Sequence, residues 1–98
     1  MSDNQFANLP DGLTRGLIHL KYFSAFKNNL VHLRGGYFKD CVKLEGLYLN
    51  ENLISNVDPD VFSEENFSAK ASVDLSQNRL DVQTQIVLVS QLHSRIKL

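Results

Sequence analysis

Several things this chain lacks narrow its function before any motif is read. It has one cysteine, Cys41, among 98 residues, which excludes an internal disulfide and leaves packing and hydrogen bonding to hold it together. No apolar run approaches the ~18 residues that cross a bilayer. Met1-Ser2-Asp3-Asn4-Gln5 has neither the basic start nor the apolar stretch of a secretion signal. Neither sign of charge dominates: 10 Lys and Arg face 11 Asp and Glu, a formal net charge of −1. That balance argues against nucleic acid or an anionic membrane as the main partner, because binding phosphates takes clustered cations.

Catalytic patterns are equally sparse. His19, His32 and His93 lie far apart and have no common spacing. Asp58-Pro59-Asp60 is too short for a calcium loop and lacks its glycine and closing glutamate. Gly35-Gly36 has no lysine at the spacing of a phosphate loop. Cys41 follows Phe38 at a position that suits a small buried residue, so an inert thiol is expected. The chain is expected to carry no cofactor, no metal and no catalytic centre. Asn66-Phe67-Ser68 is an acceptor sequence for an N-linked glycan at Asn66.

What is present is self-similarity. Leu20, Phe23, Asn28, Leu30, Leu33 and Phe38 recur 24 residues later as Leu44, Leu47, Asn52, Ile54, Val57 and Phe62. After a two-residue insertion the register continues with Val73, Leu75, Asn78, Leu80 and Leu88. A fixed period of this length marks a stack of similar coils, each needing its neighbours to bury its apolar side. Within a coil, Leu47 and Leu49 alternate with Gly46, Tyr48 and Asn50, which predicts a short strand with one apolar face. Strands in successive coils then pair in parallel. Asn28, Asn52 and Asn78 stand where the chain turns away from the strand, and an amide can serve both donors and acceptors of the backbone there. Phe38 and Phe62, with Leu88 as a third, are expected to stack along the far side.

The run Leu44-Glu45-Gly46-Leu47-Tyr48-Leu49-Asn50-Glu51-Asn52-Leu53-Ile54 resembles the leucine-rich repeat in its 24-residue form, filling every fixed position of that consensus. Residues 20–43 match nearly as well, with Ala25 for a strand leucine; the third repeat departs at Lys70 and Gln83. Phe6, Leu9 and Leu9-Pro10-Asp11-Gly12-Leu13 resemble the second half of a repeat, and Ile96 and Leu98 the strand leucines of a further one. The division expected is a partial repeat over 1–19, repeats over 20–43, 44–69 and 70–92, and the start of another over 93–98. The resemblance implies an α/β leucine-rich-repeat solenoid, with a curved parallel sheet on the concave side and loops or short helices on the convex side. Ser63–Ala69, the longer segment of the third coil, is expected to loop outward. Residues 83–95 are expected to form a short helix with Ile86, Val89, His93 and Ile96 on its packed face.

Function follows as expectation. A solenoid of this kind binds proteins on its concave strands. The outward residues there are Tyr22, Ser24, Phe26 and Lys27, then Gly46, Tyr48, Asn50 and Glu51, then Ser72, Asp74, Ser76 and Gln77. Tyr22, Phe26 and Tyr48 suit interface anchors, although aromatics on strands about 4.8 Å apart can also pack on one another. Leaving about six apolar side chains bare at the ends forfeits on the order of 10 kcal/mol. That is comparable to a domain's whole stability of about 5–15 kcal/mol. The expectation is a fragment of a longer protein, or end-to-end self-association, or a marginally folded piece with no function of its own. Repeats of this type imply an extracellular receptor or recognition protein; the alternative is an intracellular scaffold or regulatory protein. The location expected is extracellular or membrane-associated for a fragment and cytoplasmic for a complete chain.

Overall fold

Each coil contributes a three-residue strand because the alternation that favours an extended chain is short and ends at the asparagine turn. The computed structural model describes residues 12–98. The elements are β1 (Tyr22–Ser24), β2 (His32–Leu33), β3 (Gly46–Tyr48), β4 (Asn56–Val57), β5 (Ser72–Asp74), α1 (Val82–Leu92), a 3-10 turn (His93–Arg95) and β6 (Ile96–Lys97). β1, β3, β5 and β6 form one parallel sheet in that order, and β2 and β4 pair in parallel behind it. Phe23, Leu47, Val73 and Ile96 align across the sheet, so its step is one sequence period. The ladder runs on past the strand ends through Ala25 N–H to Tyr48 O (2.9 Å), Leu49 N–H to Asp74 O (2.9 Å) and Leu75 N–H to Lys97 O (2.8 Å). This is the α/β solenoid of parallel strands that the repeat implies.

The core lies between the two sheets. Leu44, Leu47, Leu49, Ile54, Val73 and Leu75 are buried there, with Leu30 and Leu33 from the preceding coil. Across the gap between coils the asparagine amides act as bridges. Asn52 Oδ1 accepts from the N–H groups of Asn28 (3.1 Å) and Leu30 (3.2 Å). Its Nδ2 donates to Ala25 O (2.9 Å) and Leu49 O (3.0 Å). Asn78 repeats the pattern one coil on, accepting from Ile54 N–H (3.0 Å) and donating to Leu49 O and Leu75 O (both 3.0 Å). Asn28 is buried, and its Nδ2 donates to Phe26 O (3.2 Å). The residue before each asparagine, Lys27, Glu51 and Gln77, is in the left-handed region with φ of 58°, 59° and 57°. Each such non-glycine residue costs on the order of 1–2 kcal/mol, which the amide bonds of the turn offset.

Several expectations are corrected. The segment Ser63–Ala69 does not simply loop outward: Phe67 and Ser68 are buried. Phe67 packs edge-to-face on Phe38 (centroids 6.3 Å) and on Phe62 (4.8 Å), so it intervenes in the stack expected of Phe38, Phe62 and Leu88. The Ser68 hydroxyl donates to Leu44 O (2.8 Å), which satisfies a carbonyl at the start of the same repeat. The helix forms, with the Asp81 carboxylate capping Thr84 N–H (2.8 Å), but its packed face is Leu88 and Leu92. Ile86, Val89 and His93 are exposed, and Ile96 belongs to β6. The helix also stops at Leu92, where His93 turns to φ 55°. Gly46 is buried although it points to the outer face, for a reason taken up below. Of the partial repeat read over 1–19, Phe6, Leu9, Pro10 and Asp11 lie outside the described residues.

Two substitutions test this construction. Asn52→Ala strands the N–H groups of Asn28 and Leu30 and the Ala25 carbonyl, while Leu49 O keeps Asn78 Nδ2, and should cost about 3 kcal/mol; Asn50→Ala, half-exposed, should cost within ~0.5 kcal/mol. Equal shifts in denaturant midpoint would overturn the bridging role. Phe67→Ala should cost about 3–5 kcal/mol by removing the ring between two others; a loss below ~1 kcal/mol, normal for an exposed loop, would return Phe67 to the surface.

Candidate protein-binding surface

The outward positions of the main sheet fall into rows, because parallel pairing puts the same repeat position of each coil side by side. One row is Tyr22, Gly46 and Ser72; the next is Ser24, Tyr48, Asp74 and Lys97. Beyond the strands the bonds Lys27 N–H to Asn50 O (3.2 Å) and Glu51 N–H to Ser76 O (3.0 Å) keep the turn residues of successive coils adjacent. Residues 22–27, 46–51 and 72–77 therefore share one face. Tyr22, Phe26 and Tyr48 are its exposed large apolar groups. Ser24, Lys27 and Gln77 are exposed, while Asn50, Glu51, Asp74 and Ser76 are half-buried.

Two of these side chains are held in place. A Cβ built on Gly46 would lie 2.7 Å from the Tyr48 hydroxyl oxygen and 2.9 Å from its ring carbons. The Tyr48 ring is thus folded back against the bare backbone of Gly46, which explains the burial of that glycine. Asp74 Oδ1 accepts from both the N–H (3.0 Å) and the hydroxyl (2.7 Å) of Ser76. A groove of about 270 Å³ runs beside Tyr48 between Asp74 and the turn Ser94–Arg95, with Lys97 at its side. Arg95 is fixed there by Nη1 bonds to Ser68 O (2.9 Å) and Ala71 O (3.0 Å). Ser94, Arg95 and Lys97 were not among the residues expected on this face. The match of Ile96 to a strand leucine carries the signal for Lys97, since it puts the lysine in the row of Tyr48 and Asp74.

Other groups lie away from this face. His32 Nε2 and Asp58 Oδ1 meet at 2.7 Å, and Gly35 N–H donates to Asp58 Oδ2 (2.9 Å). These two hydrogen bonds, that of His32 first, hold the Asp58 carboxyl below its ordinary range. Burial, with the Asp40 carboxylate second, pushes the Cys41 thiol up, which disfavours the reactive thiolate. Asn66 is half-buried and its Nδ2 donates to Asp60 O (3.3 Å). Among the described residues no group of three or more His, Cys, Asp and Glu could hold a metal ion, and no helix is long and apolar enough to cross a membrane.

The family model described as leucine rich repeat matches residues 27–80. No curated protein matches the chain.

Because the folded pKa of Asp58 is depressed, its contribution to stability is present above the ordinary carboxylate pKa and is lost as pH falls through the folded value. Asp58→Asn should therefore be less stable than the parent at neutral pH, with the gap closing in acid below about pH 4. Urea melts across this range would read it, and a gap that does not change with pH would exclude the carboxylate as its source.

Proposed function

Since the chain belongs to the leucine-rich-repeat family, a family of protein-interaction modules, we propose that it holds a protein ligand on the concave face of its main sheet. The observation that carries this reading is the grouping of Tyr22, Phe26 and Tyr48, exposed, on a face whose polar rows surround them. Aromatic anchors ringed by polar groups are the usual energetic centre of a protein interface. Lys27, Asn50, Glu51, Asp74, Ser76 and Gln77 supply the hydrogen-bonding rim, and Ser24 leaves room between the aromatics. The three repeats over 20–43, 44–69 and 70–92 act together as the binding unit, because each row takes one residue from each.

An extracellular recognition role is the setting we favour, and Asn66-Phe67-Ser68 supports it as a glycan acceptor. Burial of Ser68 and Phe67 does not oppose this if the sugar is added before the coil closes. A cytosolic scaffold is the second reading, supported by the lone buried thiol of Cys41.

Panning a peptide library on the folded chain tests the binding face. Ligands so selected should lose affinity on the order of 100-fold against Tyr48→Ala combined with Phe26→Ala, with circular dichroism unchanged. Ligands indifferent to both substitutions would move the site off this face. Expression through a secretory pathway should add one glycan that Asn66→Gln removes, read by intact mass; an unmodified secreted chain would withdraw the support that Asn66 lends to the extracellular setting.

A further inference from the structure

The groove beside Tyr48 is lined by more hydrogen-bond donors than the molecule itself uses. The hydroxyls of Tyr48, Ser72 and Ser94, the Lys97 ammonium and the Arg95 guanidinium all border it. Folding the Tyr48 ring over Gly46 brings its hydroxyl beside Ser72, because Gly46 and Ser72 are partners across β3 and β5. Among the described residues these hydroxyls and the ammonium have no protein partner. Arg95 Nη1 is given to Ser68 O and Ala71 O. Those bonds anchor the guanidinium without neutralising it, since a carbonyl carries no net charge.

Asp74 is the one acid among the described residues that line the groove. Its Oδ1 is taken by the N–H and hydroxyl of Ser76, on the turn side of the strand and away from Ser94. It stands opposite Lys97 in the register, yet the two form no ion pair. Glu51, the other acid of this face, lies further off, at the turn position shared with Lys27 and Gln77. Two cations and a set of hydroxyls therefore meet a single carboxylate that is already engaged. A group that answers such a lining is negative and rich in acceptors, because charge-assisted hydrogen bonds to ammonium, guanidinium and hydroxyl are the strong ones. A further strand would pair at the free edge of β6, in the plane of the sheet, and leave the outward side of β5 and β6 open.

We propose that this groove receives an aspartate or glutamate side chain of the protein ligand. Lys97 and the hydroxyls of Tyr48, Ser72 and Ser94 hold the carboxylate, and Arg95 supplies a second positive charge. The inference rests on the concave face being the docking side, and it assigns that side a partner with an acidic segment.

Titration of the whole chain with the acetylated, amidated peptide Gly-Ser-Glu-Glu-Ser-Gly, followed by amide NMR shifts, tests it. The signals of residue 72 and residues 94–97 should move in the millimolar range, less so as salt is raised. The same peptide with glutamine for glutamate should leave them still. Lys97→Gln should weaken the glutamate peptide on the order of 10-fold. Circular dichroism should not change, since Lys97 is exposed. Equal shifts with the glutamine peptide, shifts only elsewhere, none at all, or binding undiminished in Lys97→Gln would each overturn the proposal. Inorganic phosphate moving these signals where the glutamate peptide does not would also overturn it, making the groove a site for a free oxyanion. Panned ligands that need Tyr48 and Phe26, with the glutamate peptide inert, would fail the groove alone. A glutamate peptide seated in the groove, with panned ligands indifferent to both aromatics, would fail the aromatic anchors alone.

Discussion

The hydrogen bonds of the Asn52 amide are the constraint on which the stack depends. A parallel coil must turn sharply after each strand, and the turn leaves N–H and C=O groups inside the molecule. One side chain reaches back to the preceding coil, accepting from Asn28 and Leu30 and donating to Ala25, and also serves Leu49 in its own coil. Asn52 therefore completes the coil before it more than its own. Asn78 does the same for the coil of Ile54 and Leu49. The apolar positions decide that a coil is buried, and the amides decide in which register it is stacked. Slipping the register by one residue would both strand those backbone groups and turn the strand leucines to solvent.

The outer face follows from that register. Rows such as Ser24, Tyr48, Asp74 and Lys97 exist because every strand enters the sheet at the same repeat position. The outward slots are free to vary in residue type, while the inward slots are fixed by packing.

Much of this was legible in the residues alone. The offset between Leu44–Phe62 and Leu20–Phe38 contains the strand pairing, because one period is one coil. It could not show where Phe67 goes, since an insertion has no counterpart in the other coils against which to read it. Nor could it choose the packed side of α1. Leu88 and Leu92 satisfy helical spacing, and so do Val82, Ile86 and Val89; the choice lies in where the neighbouring coil sits. The alternation showed that Gly46 and Tyr48 point the same way, but the return of the ring onto the glycine depends on a side-chain torsion that no pattern encodes. The His32–Asp58 contact was hidden for a similar reason, because Asp58 lies just beyond β4, where the strand register ends.

The seating of Tyr48 on Gly46 bears on the thermodynamics of association. A surface tyrosine that swings freely loses rotamer entropy when a ligand arrests it, a cost of about 0.5–1.5 kcal/mol for each immobilised side chain. Here the ring is already laid against the strand in the free chain. The absence of one methyl group at Gly46 thus decides where that ring can lie, because any Cβ there would meet it.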